Sequence, residues 1–231
     1  MMSEETGKKV KPINVVTSAI PRGTVGHCLK SFLNAMADRD DYYLRWICHL
    51  DKYPGMRNIN ESLRQIACVH PLFDSFCLLI PMGNVGFGMS VKLCLELTQH
   101  DTLWIEDDWD WTGKTFRMAD VEAATTDCFS FVTPDTKAGA MHPTFWRRHV
   151  LDYWLKNFPR NRQTATETTM FNLLKRRFKM DGIKLLSLDE DHIGDKVMVE
   201  MGFEHNWNGQ RLLAKRHRPK WDSEKEDWVK Q

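Results

Sequence analysis

The chain has 231 residues, a formal net charge of +1, 42% hydrophobic and 27% charged residues. That is an ordinary globular mixture, long enough to bury a sizeable core without disulfide or metal staples. So balanced a charge excludes a global field that would demand nucleic acid or an anionic membrane as partner. No apolar run approaches the ~20 residues that cross a bilayer, and the opening MMSEETGKKVKP has no signal-peptide core. A membrane span and secretion are therefore not expected. The 6 cysteines form no CxxC pair and mostly lie in apolar runs, so they read as buried thiols of a reduced compartment.

Residues 1–12 are polar and read as a flexible start. Residues 13–19 (INVVTSA) read as a buried strand, closed by a Pro-Arg-Gly turn at 21–23. Residues 24–37 carry Val25, Cys28, Leu29, Phe32, Leu33 and Met36 at helical spacing, with Thr24 as N-cap. A second strand is expected at 42–50, ending at Asp51, then a helix at 60–69 and a third strand at 76–80. The Gly-rich stretch 83–88 (GNVGFG) leads into a helix at 89–98. A short strand at 103–105 then empties into Glu106, Asp107 and Asp108. Further on come a strand at 129–132, helices at 143–157 and 166–178, a strand at 183–188 and a basic tail over 206–231. Alternation of this kind implies an α/β fold with a mostly parallel central sheet flanked by helices, whose ligands sit beyond the carboxyl ends of the strands.

The acidic cluster lies at such an end. In LWIEDDWDW (103–111), three adjacent carboxylates are followed by Asp110 two residues past Asp108. Carboxylates so close repel one another unless a cation neutralises them, and their hard oxygens suit Mg²⁺ or Mn²⁺. The plainer reading is a solvated acidic turn with Trp109 and Trp111 as core anchors. GNVGFG matches neither a Walker A loop nor GxGxxG. Basic residues gather at Arg147 and Arg148, at Lys175, Arg176, Arg177 and Lys179, and in the tail around Lys220 and Trp221. They suit a phosphate-backbone binder, or simply a solvated helix face and an unstructured tail.

A strand running into EDDW after a βαβαβ first half, with Asn84-x-Gly86 before the preceding helix, resembles the GT-A fold of nucleotide-sugar glycosyltransferases. The resemblance covers 13–203. It implies one Rossmann-type sandwich over 13–205, with 13–111 binding the nucleotide sugar and 112–205 the acceptor. It implies Mn²⁺ or Mg²⁺ against the donor diphosphate, a UDP-sugar foremost, with Asp108 as metal ligand and catalytic residue. Asp110 is the alternative ligand if the motif is Asp108-x-Asp110, and His192, in DEDHIGD, completes the shell. Glu106 and Asp107 are implied to face the ribose and the metal's water shell. Thr17 and Arg22 (in TSAIPR), Asp51, Asn84 and Gly86 are implied to seat the base, ribose and phosphates, and Trp109 to flank the sugar or pack in the core. Glu167, in ATETTM, is the implied base of an inverting transfer, or an ordinary Glu at a helix start. The acceptor stays open between a hydroxymethylated base in DNA, as in phage enzymes, and a polysaccharide, lipid carrier or protein. The setting implied is a bacterial or infected-cell cytoplasm. Two rivals stand beside this reading: a metal-dependent nucleotidyltransferase and a non-catalytic sugar- or nucleic-acid-binding module.

Overall fold

Successive side chains of a strand point to opposite faces, and the first two strands use this to build two cores. In β1 (Lys11–Ala19), Ile13, Val15 and Ala19 join one buried cluster and Val16 the other. In β2 (Tyr42–Leu50), Leu44, Trp46 and Cys48 take the first face and Ile47 the second. The computed structural model describes residues 10–21, 23–50, 59–81, 87–132, 142–158, 177–187, 190–193, 220–222 and 227–229.

Seven strands form one sheet in the order β3-β2-β1-β4-β6-β5-β7. The others are β3 (Ser75–Leu79), β4 (Thr102–Trp104), β5 (Cys128–Ser130), β6 (Thr144–Trp146) and β7 (Met180–Gly182). All pairings are parallel except those of β6, which runs antiparallel to both neighbours. On the first face lie α1 (Val25–Ala35) and α2 (Ile59–Val69), which contribute Leu29, Phe32, Ile66 and Val69 to its core. On the second lie α3 (Phe87–Glu96) and α5 (Arg148–Lys156), with Val91, Leu95, Leu151 and Trp154. The strand order reverses between β1 and β4, and their carboxyl ends form the crevice where open α/β sheets hold ligands.

Several expectations shift. The first helix stops at Ala35 rather than 37, because Met36 turns extended (φ −81°, ψ 97°) and bridges to Phe116. Thr24 occupies the N-cap position but makes no capping bond. The expected helix over 143–157 is in fact β6 followed by α5: Thr144, Phe145 and Trp146 are β-formers that fill the slot between β4 and β5 and alternate between the two cores. The last strand of the sheet lies at Met180–Gly182 rather than 183–188. A Cβ at Gly182 would sit 2.5 Å from the Ser130 carbonyl oxygen, so only glycine permits this approach to β5. The tail is not structureless: Lys220–Asp222 (β8) pairs antiparallel with Asp227–Val229 (β9). Most of the expected helix at 166–178 lies outside the described residues. All six cysteines are free; four are buried, but Cys68 is exposed on α2, and burial pushes the Cys128 thiol up to about 12.

α4 (Met118–Ala124) takes its cap from a distant residue. Buried Asp38 accepts the Met118 amide at 2.7 Å and the Ala119 amide at 2.9 Å. Asp38→Ala leaves both amides without that acceptor and is expected to cost about 2 kcal/mol, a charge-assisted cap, lowering Tm by roughly 4–8 °C in thermal unfolding.

Candidate active site

The acidic segment leaves β4 under tight control. The Ile105 amide donates to the Val16 carbonyl (2.9 Å), which carries the parallel pairing with β1 one residue past Trp104. From there one face of α1 holds the loop. The Thr24 hydroxyl donates to Asp107 Oδ2 (3.3 Å), Cys28 Sγ to the Glu106 carbonyl (3.1 Å), and the Trp111 amide to Ser31 Oγ (3.1 Å). His27 Nε2 meets Asp110 Oδ1 at 3.0 Å. Positions 24, 27, 28 and 31 have i, i+3, i+4, i+7 spacing, so they share one helical face.

The other side of the loop is held by residues 191–193. Asp110 N donates to Asp191 O and Ile193 N to Asp108 O, both at 2.8 Å, and Trp109 bridges His192. Asp191 shapes this segment: its Oδ2 accepts the Ser187 amide (2.7 Å) and pairs with Lys114 (3.0 Å). The result is that His192 Nε2 stands 2.9 Å from Asp108 Oδ2. Residues 84 positions apart thus meet through backbone pairing. Asp191 and Lys114 escaped sequence reasoning, because nothing local marks a turn that positions a distant histidine.

Other expected site residues take different places. Asp107 and Asp108 are 1% and 4% exposed, which rules out a fully solvated acidic turn. The Asp110 carboxylate does not join the Asp108–His192 pair. It closes a turn onto the Thr112 amide (2.9 Å) and meets His27. Partial burial works to raise this carboxyl, but the Thr112 and His27 hydrogen bonds outweigh it and hold it below the ordinary value. Trp109 is fully buried, with its Nε1 donating to Glu106 Oε2 (3.0 Å) and its ring between His142 and His192. No ring face is left for a sugar; it is the core anchor of the plainer reading, and it orients Glu106. His142, unforeseen in the sequence, lies 3.7 Å from that same Glu106 oxygen. Thr17 is also fully buried and accepts the Trp46 indole N–H (3.2 Å). It shares the parity of Ile13 and Val15 and so faces the core, not a ligand. Arg22, Asp51, Asn84, Gly86 and Glu167 lie outside the described residues.

The basic residues weigh against one expected surface. Arg147 donates to Asp101 Oδ2 (2.8 Å) and to the Glu122 and Thr125 carbonyls, and Arg148 to Thr98 and Asp152. Both follow the antiparallel β6, which puts them at the opposite end of the sheet from the acids. They lock loops together there. Arg177 stacks over Tyr153 (4.5 Å) and Lys179 pairs with Asp181 (2.7 Å). Lys175 and Arg176 fall outside the described residues.

Asp108 and His192 fit a divalent ion. A carboxylate and an imidazole are Mn²⁺-type donors, and two adjacent ligands each about 2.1 Å from an octahedral ion stand about 3 Å apart. Among the described residues no three His, Cys, Asp or Glu side chains converge on one point.

At the carboxyl end of β2, His49 is fully buried, and burial lowers it to about 4. An unfolded histidine titrates near 6.5, so between about 6.5 and about 4 the unfolded chain takes up a proton that the folded one refuses. Stability is expected in full above pH ~6.5 and to fall by about 3 kcal/mol as pH drops to ~4. Urea unfolding at several pH values checks this, and His49→Gln should flatten that part of the profile.

No protein-family model matches this chain, and no curated protein does. Solved structures do. A mannosyltransferase of Pyrobaculum calidifontis, PcManGT, in complex with GDP-Man and Mn²⁺, superposes with a TM-score of 0.54 at 13% identity over 79% of this chain. Staphylococcus aureus TarS superposes at 0.53 (residues 1–349) and 0.56, with 10% and 11% identity over 76% of this chain. The chain spans 59% of the length of the first two of these structures and 36% of the third. At such identities the likeness establishes the fold. Among the described residues no helix is long and apolar enough to cross a membrane.

Proposed function

We propose that this chain, which has the GT-A fold of nucleotide-sugar glycosyltransferases, transfers a sugar from a nucleoside-diphosphate sugar to a hydroxyl acceptor, with inversion. The observation that carries the reading is the Asp108–His192 pair, 2.9 Å apart at the carboxyl end of β4, beside the reversal in strand order. PcManGT, of the same fold, is described in complex with GDP-Man and Mn²⁺. Asp108 and His192 would hold a divalent ion, whose positive charge would stabilise the departing diphosphate.

The chain's own residues do the remainder. Asp107 and Glu106, held by Thr24 and Trp109, orient the donor on the ribose side. Two backbone hydrogen bonds fix the loop against residues 191–193 and so hold Asp108 beside His192. Glu167 takes the acceptor hydroxyl's proton as its oxygen attacks the anomeric carbon. UDP- and GDP-sugars, each with Mn²⁺, test the reading by thermal unfolding. A donor at about 100 times its Kd adds roughly 2.7 kcal/mol of stability. Stabilisation by nucleoside triphosphates and by no nucleotide sugar would overturn it in favour of a nucleotidyltransferase.

A further inference from the structure

Thr24 stands at the N-cap of α1, yet its side chain does not cap. An N-cap residue ordinarily lies in the extended region, and its oxygen accepts the amide of the second or third helical residue. Thr24 is instead in the αR region (φ −103°, ψ −24°), and its hydroxyl donates to Asp107 Oδ2 at 3.3 Å. The second helical residue, Gly26, still has its amide satisfied, by a side chain of another helix. Gln65, on α2, accepts that amide through Oε1 at 3.2 Å and donates from Nε2 to the Gly23 carbonyl at 2.9 Å. These partners fix which way the Gln65 amide points, because a backbone N–H can only donate and a carbonyl can only accept. Gly26 makes room for the clamp: a Cβ there would stand 3.1 Å from Gln65 Cβ.

Gly26 is buried, so its amide is costly to leave unpaired. Without Gln65, the oxygen placed to take that amide is the ordinary one, the Thr24 hydroxyl. To reach it, Thr24 would have to give up Asp107, the buried neighbour of Asp108 in the acidic loop.

We propose that Gln65 is a positioning residue of the acidic loop: by capping α1 from α2, it leaves the Thr24 hydroxyl to hold Asp107, and so sets the affinity for a nucleoside diphosphate with its cation. The ligand in this proposal rests on the glycosyltransferase reading above; the exchange of partners between Gln65 and Thr24 does not. Gln65 itself touches no ligand and acts through Thr24.

Gln65→Met keeps the packing on Gly26 and removes both hydrogen bonds, and Thr24→Val removes the hydroxyl. Together they form a double-mutant cycle, read by thermal unfolding and by titration calorimetry of UDP and GDP in the presence of Mn²⁺. Where Thr24 is intact it can turn back and cap, so Gln65→Met is expected to lower Tm less in that background than in Thr24→Val. In affinity, each single variant is expected to lose about fivefold, the worth of one hydrogen bond, and the double variant no more than either. Gln65→Glu still accepts the Gly26 amide, but it loses the Gly23 bond and puts a second carboxylate beside Glu61, whose Oε1 lies 3.5 Å from Gln65 Nε2. It is expected to lower Tm yet keep the wild-type affinity, a separation that a merely structural side chain would not give. Unchanged affinity in Gln65→Met, affinity losses that add in the double variant, or equal Tm costs in the two backgrounds would each overturn the assignment and leave the glycosyltransferase reading intact. A wild-type protein that binds neither diphosphate overturns that reading instead, and the unfolding cycle, which needs no ligand, then decides by itself whether Gln65 frees Thr24.

Discussion

Asp108→Ala is expected to abolish sugar transfer and donor hydrolysis alike, by at least ~10³-fold, and to remove the thermal stabilisation that a nucleotide sugar gives with Mn²⁺. Asp108 is 4% exposed and supplies the oxygen that stands 2.9 Å from His192. Alanine leaves one imidazole where there were two donors, and the nearest acids have other work. Asp107 is tied to Thr24, Glu106 to Trp109 and Asp110 to Thr112 and His27. None can swing across without breaking a bond that shapes the loop. The fold is expected to survive, because the backbone bond from Ile193 N to Asp108 O does not need the side chain. A variant that unfolds within a few degrees of wild type, yet gains nothing from donor plus Mn²⁺, is the expected result. Full donor stabilisation in Asp108→Ala would place the cation elsewhere. His192→Ala should show the same pattern with a smaller loss, since one carboxylate still binds a hard cation better than one imidazole.

How far the sequence could be read follows from how local each cause is. β2 was legible to the residue because YYLRWICHL is a β-rich run between polar turns, and parallel strands buried on both faces read as continuous apolar stretches. β6 was hidden. Pro143 looks like a helix start, and the amphipathic RHVLDYWLK of α5 extends its period back over Thr144–Trp146. What makes those three residues a strand is the slot between β4 and β5, which only the assembled sheet reveals. The resemblance implies a ligand-facing Thr17, although its parity with Ile13 and Val15 points it into the core. The helical period of α1 showed Val25, Leu29 and Phe32 as a buried face. It said nothing of the partners of Thr24, His27 and Ser31, which lie some 80 residues on in the acidic loop. The two halves of the site differ in the same way: EDD after a strand is a local signal, whereas the approach of His192 depends on the Asp191 turn and was reachable only through resemblance.

Glu167→Gln should separate chemistry from binding, where Asp108→Ala removes both. An amide fills nearly the same space as a carboxylate but is too weak a base to take the acceptor proton. Transfer is expected to fall about 10²- to 10⁴-fold while the donor still binds and still stabilises the protein. The pH profile carries an independent signature. A carboxylate base works only when deprotonated, so wild-type kcat/KM should decline on the acid side as that group takes up a proton. In the glutamine variant the residual rate should lose that limb. Slow donor hydrolysis should persist, because attack by water depends less on a base placed for the acceptor. If Glu167→Gln transfers sugar at the native rate, the proton leaves by another route. His142, 3.7 Å from Glu106 in the wall of the site, is then the next side chain to replace. The acceptor's position would have to be sought on the β6 side of the acidic loop rather than near residue 167.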